Sequence, residues 1–274
     1  MPELPEVETI KRDLAKYVLS QTIRSIKVID ARVIRYVTAA EFIRQLKGKR
    51  IEGIDRRGKA IILNLSSGLY FIVQPMMTGQ VVHVEADKTP DVVKETKIIF
   101  RLSSGDTLLY NDQRLFGHLS LVKDLTTVKH FNAMGPEPLT KAFNPAQLAQ
   151  ALKKTQRAIK PLLLDHKFVA GIGNIYACEI LHRAKINPKR CARDLKPGEI
   201  KVLHRQTIDV LEEAILSRGS SMRNYLDGKG QKGEFIKRIR VYAREGQPCL
   251  TCRKPIERII QTQRSTFYCR HCQK

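Results

Sequence analysis

Apolar and polar residues alternate in short stretches along the N-terminal half of the chain. Val7, Ile10 and Leu14 recur at helical spacing just after the N-terminus and predict an amphipathic helix. Beyond them, short apolar stretches separated by turn sequences, such as Ser-Ser-Gly at residues 66–68, predict strands. The predicted strands span residues 26–29, 51–56, 60–65, 69–74, 80–85, 97–102 and 119–123. Many short strands with turns between them favour an antiparallel sandwich or barrel.

The pattern becomes helical after residues 134–138, whose sequence Met-Gly-Pro-Glu-Pro is typical of a linker. Asn144 followed by Pro145 predicts an N-cap and the first residue of a helix. Asn174 is predicted to cap another helix. Glycines at 228, 230 and 233 predict a flexible loop ahead of a terminal hairpin. Apolar spacing predicts helical packing over residues 148–164, 174–183 and 197–217.

The net charge points to a polyanionic partner. Forty-nine Lys and Arg against 27 Asp and Glu give a formal charge of +22. From Arg218 onward the chain holds 14 Lys and Arg but only 4 Asp and Glu. A field of this sign and distribution attracts nucleic acid. A basic protein with another role would share the charge, so charge alone leaves that alternative open.

Length and hydropathy narrow the class of protein. The 274 residues, 42% of them hydrophobic, suffice for two or more globular domains with their own cores. No apolar stretch approaches the roughly 18 residues of a membrane span, and the N-terminus does not resemble a signal peptide. We therefore expect a cytoplasmic protein that does not associate with a membrane.

Four of the six cysteines form two close pairs, Cys249/Cys252 and Cys269/Cys272, with 16 residues between the pairs. This spacing predicts one structural Zn²⁺ bound by four thiolates at the ends of a short hairpin. Two disulfides are the alternative, but no export signal supports the oxidising compartment that they require. The other two cysteines, at 178 and 191, are predicted to be ordinary thiols.

The N-terminus carries a possible nucleophile. If Met1 is removed, Pro2 becomes a terminal secondary amine, and a free α-amino group titrates near 7.7–8.0, well below the roughly 10.4 of lysine. Such an amine can attack an aldehyde-like carbon and form an iminium ion, and Glu3 could transfer protons. Taken alone, the two residues are better explained by an ordinary chain start and a glutamate that favours the helix dipole.

The opening sequence MPELPEVET at residues 1–9 resembles that of the formamidopyrimidine-DNA glycosylase family. Further matches follow in order along the whole chain, so the resemblance is specific. They are RRGK at 56–59, DQRLFG at 112–117, MGPEP at 134–138, KxLLLD at 160–165, VAGIGNIY at 169–176 and the four-cysteine hairpin.

The resemblance implies an α+β fold in three domains. It places a catalytic β-sandwich with flanking helices at residues 1–133 and a helix–two-turn–helix domain at residues 134–236. A zinc-finger hairpin follows at residues 237–274, and damaged double-stranded DNA binds between the lobes. It also implies a bacterial enzyme of base excision repair, and a monomer is expected because one chain supplies every part of the site.

The resemblance also assigns the chemistry. Pro2 attacks C1′ of an oxidised purine nucleoside, 8-oxoguanine or a formamidopyrimidine. It expels the base, and β- and δ-elimination then cut the strand. Glu3 matches the acid/base residue and Glu6 a supporting carboxylate. The positions matched by Lys59, Asn174 and Arg264 hold phosphates around the flipped nucleotide, and those matched by Met77, Arg114 and Phe116 fill the gap that it leaves. Gln74 and Lys160 match further DNA-binding positions. Residues 228–233 match the loop that covers the flipped base.

The sequence departs from the family at DNA-facing positions. Gln74-Pro75 stands where the family has a phosphate-contacting histidine followed by leucine, and glutamine carries no charge. Residues 263–265 read Gln-Arg-Ser instead of Gly-Arg-Gly. Leu115 replaces a basic residue, and Arg218 replaces the first glycine of a Gly-Gly-Ser turn. Two alternatives therefore stay open beside the oxidised-purine enzyme: a glycosylase of other specificity or an abasic-site lyase, and a non-catalytic protein that binds damaged DNA.

Overall fold

The computed structural model describes residues 2–221, 228 and 231–274. The chain forms two compact units. The first consists of Met1–Asn132 and Ser217–Ile236, and the second of Ala133–Leu216 and Lys237–Lys274. Gly230, part of the predicted glycine-rich loop, lies outside the described residues. No helix among those that are described is both long and apolar enough to cross a membrane.

The first unit contains two four-stranded antiparallel sheets. Their strands are β1 (Ile23–Val28), β2 (Ile51–Arg57), β3 (Ala60–Leu65), β4 (Leu69–Gln74), β5 (Gly79–Val84), β6 (Thr96–Leu102), β7 (Thr107–Asp112) and β8 (His118–Val122). The strand order is β1-β6-β7-β5 in one sheet and β2-β3-β4-β8 in the other. All seven predicted strands are present, with their ends shifted by at most three residues, and one strand, β7, was not predicted.

One core joins both sheets and two helices, so the predicted sandwich is confirmed. Helix α1 (Leu4–Val18) buries Val7, Ile10 and Leu14 in it, as the helical spacing predicted. Helix α2 (Ala39–Leu46) is N-capped by Thr38, whose hydroxyl accepts a hydrogen bond from the backbone N–H of Glu41 at 3.2 Å. At the centre, Phe71 of one sheet lies 5.7 Å from Phe100 of the other, measured between ring centroids, and Phe42 of α2 contacts both.

A close approach at Gly117 fixes the loop between β7 and β8. A Cβ at this position would lie only 1.7 Å from the hydroxyl oxygen of Tyr110 and 2.8 Å from Oδ2 of Asp112. Tyr110 is 1% exposed, so it has no room to move aside. Only glycine fits here, and its fit lets the exposed residues before it project from the sandwich.

The second unit is helical and carries a terminal hairpin. Pro145 follows the N-cap Asn144, as predicted, but the helical segment predicted over 148–164 is interrupted. Residues 154–158 leave the helix, and Ala158 is extended at the start of the next one. A 3-10 turn at Ala192–Asp194 precedes the helix Pro197–Leu216, the longest of the described helices. The elements are α4 (Pro145–Lys153), α5 (Ile159–Leu163), α6 (Asn174–Arg183), α7 (Pro197–Leu216), β9 (Glu257–Gln261) and β10 (Arg264–Tyr268), preceded in the first unit by the short helix α3 (Lys129–Asn132).

The prediction that Asn174 caps α6 is wrong. Gly173 occupies the N-cap position, and Asn174 is the first residue of the helix. Its side chain bonds to the hairpin instead, since its Nδ2 donates to the carbonyl oxygen of Ser265 at 2.9 Å. The side-chain amide of Asn174, predicted to cap its own helix, therefore connects that helix to the hairpin about 90 residues further along the chain.

Candidate active site and DNA-binding residues

The N-terminal Pro2-Glu3 pair lies at the start of α1. Both residues are buried, and Glu3 is the N-cap residue. The backbone N–H of Glu3 donates to Oε2 of Glu6 at 2.8 Å. This bond satisfies an N–H group at the helix start and holds the Pro2-Glu3 backbone in one position. Glu3 thus has a structural role as well as the chemical one that the resemblance implies.

Glu6 connects the N-terminus to a turn more than 200 residues away in sequence. It is 2% exposed. Its Oε1 accepts hydrogen bonds from the backbone N–H of Ser220 at 2.7 Å and from the Ser220 hydroxyl at 3.1 Å. The preceding Gly219 has a φ of +79°, and a Cβ there would lie 2.8 Å from Cγ of Glu6. The carboxylate of Glu6 therefore holds the backbone of Glu3 next to the turn at residues 219–220.

Arg218, one of the departures from the family, stands in the same turn. Its φ of 59° is unusual for a residue with a side chain. Its guanidinium forms an ion pair with the buried carboxylate of Asp13 on α1. A contact to a buried carboxylate offsets the conformational cost, so this chain keeps the turn without the glycine.

Lys59 lies in the tight turn between β2 and β3. Arg56 holds that turn against α1: its Nε donates to Oε2 of Glu8 at 2.9 Å, and its Nη1 donates to the carbonyl oxygen of Gly58 at 2.8 Å. Burial alone would raise the pKa of Glu8, but hydrogen bonds from Arg56 and Arg12 outweigh it and lower the pKa. The ionised pair anchors the turn that carries Lys59 to the helix that carries the N-terminus.

Met77, Arg114 and Phe116 form one exposed cluster, although they lie in two different loops. The guanidinium carbon of Arg114 lies 4.5 Å from the ring centroid of Phe116, and its Nη1 lies 3.3 Å from Sδ of Met77. Met77 is 40% and Phe116 45% exposed. Apolar side chains with this exposure around a cation are suited to inserting into a base stack and facing an unpaired base.

Asp112 supports this cluster from below. It is fully buried, and it accepts hydrogen bonds from the hydroxyl of Thr78 at 2.5 Å and from the backbone N–H of Gly117 at 2.7 Å. It also accepts from the N–H of Arg114 at 3.2 Å. One carboxylate therefore joins the loop of Met77 to the loop of Arg114 and Phe116. No role was predicted for Asp112 from the sequence, although this residue begins the DQRLFG match.

Gln74, the last residue of β4, contacts an imidazole. Its Nε2 lies 2.5 Å from Nε2 of His130. His118 is the cross-strand partner of Gln74 in the antiparallel register of β4 and β8. Neither histidine was predicted from the sequence to belong to the site.

In the second unit, Lys160 is fully buried beneath the hairpin. Its Nζ donates to Oδ1 of Asn174 at 2.7 Å, to the hydroxyl of Thr266 at 2.8 Å and to the carbonyl oxygen of Ser265 at 3.2 Å. Because Asn174 also donates to Ser265, the start of α6 and the start of β10 form one hydrogen-bonded unit. Lys160 thus positions Asn174 and the residue that follows Arg264.

Arg264 is exposed at the start of β10, beside the hairpin turn. The two residues before it, Thr262 and Gln263, have φ values of 44° and 59°. Two successive residues at positive φ are typical of a type I′ hairpin turn, which favours Asn and Gly. Ser265 adds a further contact, since Nε of Arg258 donates to its hydroxyl at 3.2 Å. The altered tip is therefore strained and more extensively bonded than a glycine-flanked one.

Glu179 of α6 fixes the chain that leads to the hairpin. It is fully buried, and its carboxylate accepts backbone N–H bonds from Arg240, Val241 and Tyr242 at 2.8–2.9 Å. Burial raises its pKa against the opposing effect of these three bonds. Glu179 was not predicted as a functional residue, because nothing in the local sequence around it indicates that it accepts hydrogen bonds from backbone N–H groups about 60 residues away.

Replacing Lys160 with Met is expected to destabilise the second unit by about 2–4 kcal/mol, since it leaves buried oxygens of Thr266, Ser265 and Asn174 without this donor. The control Lys154→Met alters an exposed lysine at the end of α4 and is expected to change stability by less than about 0.5 kcal/mol. Urea unfolding of both variants measures the difference. Equal stability of the two would show that the buried ammonium does not hold α6 to the hairpin.

The four cysteines Cys249, Cys252, Cys269 and Cys272 meet at one point. Their Sγ atoms all lie within 4.8 Å of one another. Four thiolates around Zn²⁺, at about 2.3 Å each in a tetrahedron, place the sulfurs about 3.8 Å apart, so the cluster fits this metal. The cysteines would hold Zn²⁺ as a structural ion that stabilises the hairpin. None of the six cysteines forms a disulfide in the part of the chain that the structure describes.

His182 of α6 lies against the zinc site. Its Nε2 is 3.6 Å from Sγ of Cys249. Burial, and then the charges of Arg240 and Arg183, lower its pKa to about 4. An imidazole that carries its hydrogen on Nε2 can donate it to the sulfur. The site is thus supported by α6 as well as by the hairpin itself.

Comparison with protein-family models assigns nearly the whole chain. The model for the formamidopyrimidine-DNA glycosylase N-terminal domain matches residues 1–119, and that for the helix–two-turn–helix domain of the same enzymes matches residues 134–225. A zinc-finger model, described as found in FPG and IleRS, matches residues 246–274. The chain belongs to the formamidopyrimidine-DNA glycosylase family. The resemblance inferred from the sequence motifs is confirmed.

Individual members of the family are similar over their full length. A formamidopyrimidine-DNA glycosylase of Desulforamulus reducens is 43% identical over 277 residues, which covers 100% of this chain and 99% of that protein. The crystal structure of MutM (Fpg) from Thermus thermophilus has a TM-score of 0.87 at 38% identity and covers 99% of this chain and 98% of that one. The Lactococcus lactis Fpg, in complex with DNA containing an abasic site, has a TM-score of 0.91 at 33% identity, with 99% of each chain covered.

Proposed function

We propose that this chain excises oxidised purines from DNA through a Schiff base at Pro2 and then cuts the strand. Membership of the family over the full length makes it a DNA glycosylase and abasic-site lyase of base excision repair. The observation that carries the assignment of the nucleophile is the position of Pro2-Glu3, held in place by Glu6 at the start of α1. The substrates proposed are 8-oxoguanine and formamidopyrimidines in double-stranded DNA.

The proposed reaction begins with the lesion rotated out of the helix, because a terminal amine cannot reach C1′ inside a base stack. The lone pair of the Pro2 nitrogen forms a bond to C1′, the glycosidic C–N bond breaks, and the base leaves with a proton. Opening of the sugar gives an iminium ion, which acts as an electron sink. Loss of a proton from C2′ then breaks the C3′–O bond, and a second elimination breaks the C5′–O bond. Glu3 is proposed to transfer these protons.

The DNA is proposed to bind through residues of both units. Lys59, Asn174 and Arg264 would hold phosphates, and Gln74 would contribute amide hydrogen bonds. The exposed cluster of Met77, Arg114 and Phe116 would fill the space that the flipped nucleotide vacates. Lys160 is buried, so its proposed contribution is to position Asn174 and the hairpin tip rather than to contact phosphate itself.

The proposed domains are the catalytic sandwich at residues 1–133, the helix–two-turn–helix domain at residues 134–236 and the zinc-finger hairpin at residues 237–274. The part of the first compact unit that lies at Ser217–Ile236 falls within the second of these domains. We propose that the protein acts as a monomer in the bacterial cytoplasm, where it associates with the nucleoid through DNA.

A second candidate is an enzyme of the same chemistry with another lesion preference, including a lyase that acts only on abasic sites. The altered positions Gln74 and Pro75 and the strained hairpin tip favour this alternative. Neither alters Pro2, Glu3 or the zinc ligands.

Borohydride trapping distinguishes the candidates. The protein is incubated with a duplex containing 8-oxoguanine opposite cytosine and, separately, with a duplex containing an abasic site. Because borohydride reduces the iminium ion to a stable amine, a covalent adduct on both duplexes is expected. An adduct on abasic DNA alone would favour the second candidate. No adduct on either would leave a protein that binds damaged DNA without catalysis, and would overturn the proposed function.

A further inference from the structure

Two imidazoles and an amide form a surface cluster at the end of β4. His130 of α3 is exposed, and its Nε2 lies 2.5 Å from Nε2 of Gln74. His118 is partly exposed and stands directly across from Gln74 in the antiparallel pair β4–β8. Opposite residues in such a pair project from the same face of the sheet. We refer to Gln74, His118 and His130 as the imidazole–amide cluster.

The cluster has donors but no anionic partner. Within the described residues, no carboxylate forms a hydrogen bond or an ion pair with either imidazole. Burial and then the charge of Arg35 lower the pKa of His118 against the opposing effect of Asp112, and burial and then His118 lower the pKa of His130. An amide and two imidazoles that are exposed or partly exposed, with an arginine near one of them, provide hydrogen bonds for an anion.

His130 has titratable and basic neighbours. His118 interacts with it from β8, and Lys129 precedes it. Arg57 of β2 donates from Nη2 to the carbonyl oxygen of the next residue, Phe131, at 3.3 Å. Two acidic groups of the same unit are engaged in other hydrogen bonds. Asp112 acts on His118 but bonds to Thr78 and Gly117, and Asp124 bonds to the N–H and hydroxyl of Thr126 at 2.8 Å and 2.6 Å.

We propose that the imidazole–amide cluster binds one backbone phosphate of the DNA, and that His130 takes up a proton from solvent as the phosphate arrives. The proposal rests on the proposed function, because it takes DNA to be the ligand. It adds two residues, His118 and His130, to the DNA-binding surface. It also assigns to the uncharged Gln74 a partner that can become charged.

The contact between Gln74 and His130 permits this change. When His130 is neutral, its Nε2 can accept a hydrogen bond from the amide nitrogen of Gln74. When His130 is protonated, Nε2 becomes a donor, and the amide must turn so that its oxygen accepts. The turned amide then presents its two N–H donors away from the imidazole, where a phosphate can accept them. Protonation of one ring thus adds a charge and frees a second donor group.

The pH dependence follows from the sign of the shifts. In the free protein the pKa of His130 lies below its ordinary value of about 6.5. A bound phosphate favours the imidazolium and raises that pKa, so DNA binding takes up a proton between the two values. Affinity for DNA therefore falls as the pH rises through this window. A rise of one pKa unit on binding corresponds to a tenfold change in affinity.

The test measures binding to a duplex with a tetrahydrofuran abasic analogue, which cannot form a Schiff base, by fluorescence anisotropy at constant ionic strength. Wild-type affinity is expected to fall about tenfold between pH 5 and pH 8, because the pKa of His130 in the free protein lies below about 6.5. His130→Gln should bind weakly with little pH dependence, and His130→Lys should bind tightly with little pH dependence.

At pH 6, His130→Gln should also reduce the slope of log affinity against log salt by about 0.9. Lys47→Gln, on an exposed lysine after α2, controls for the loss of one surface charge.

The outcomes separate this inference from the proposed function. If His130→Gln keeps the wild-type pH dependence and salt slope, the cluster does not hold a phosphate, although wild-type trapping on damaged DNA would still support the enzyme. A pH dependence that disappears in His118→Gln but not in His130→Gln would also overturn the role given to His130. If the wild-type protein is not trapped on DNA, the proposed function itself fails.

Discussion

A chain with one glycine inserted between Met1 and Pro2 is expected to lose covalent trapping on abasic DNA by at least about a hundredfold. After removal of Met1, the Pro2 nitrogen of this variant is part of an amide, whose delocalised lone pair is not nucleophilic. The new terminal amine is displaced by one residue, and a displacement of even 1 Å can reduce a rate about a hundredfold. The measurement is the fraction of DNA that borohydride links to the protein, with the N-terminus verified by mass spectrometry.

Pro2→Gly is the matched comparison, because it keeps a terminal amine at the same place while removing the ring. It is expected to trap less than the wild type but more than the extended chain. Binding to the tetrahydrofuran duplex should be similar in all three proteins, which would show that the loss concerns chemistry and not DNA affinity. Undiminished trapping by the extended chain would place the nucleophile elsewhere, and a lysine such as Lys59 would then be the first to replace.

The sequence predicted those parts of the molecule in which local pattern determines structure. The spacing of Val7, Ile10 and Leu14 predicted α1 because one face of this helix is buried in the sandwich core. The strand β7 was missed because its central residues Leu108 and Leu109 are buried in succession and lack the β-branched side chains of the equally buried Ile61 and Ile62 in β3. Such a run has no alternation, and it cannot be distinguished by periodicity from a segment of buried helix.

The supporting side chains of the site could not be predicted from local pattern. Lysine is almost never fully buried, yet Lys160 is, because its acceptors Ser265 and Thr266 lie more than 100 residues away. Glu6 and Ser220 are likewise joined only by the fold. The four cysteines were recognisable from their spacing alone, whereas Pro2 was identified as the proposed nucleophile only through the resemblance of residues 1–9 to the family. The residues that hold them in place become visible only in three dimensions.

Removal of Zn²⁺ is expected to unfold the hairpin and to weaken DNA binding more than a hundredfold. Structural zinc contributes about 10–16 kcal/mol of apparent binding energy in zinc-finger peptides, far more than a five-residue pair of strands can supply by itself. Loss of β10 removes the proposed phosphate contact of Arg264 and also removes the carbonyl oxygen of Ser265 that fixes Asn174. Two charge-assisted phosphate contacts, at about 1.5–3 kcal/mol each, account for the expected loss of affinity.

Hydrogen exchange of Cys269→Ser tests this expectation, with zinc content measured alongside. Amides of β9 and β10 should lose protection, whereas those of β3 and β4 should keep it, because the sandwich has its own core in the first unit. Cys191→Ser is the control, since Cys191 lies outside the cluster and its Sγ donates a hydrogen bond to the carbonyl oxygen of Gln156 at 3.3 Å. Persistent protection of β10 without zinc would mean that Lys160 and Asn174 hold the hairpin unaided. The metal would then serve a purpose other than folding, because the hydrogen bonds from α5 and α6 would already fix the position of Arg264.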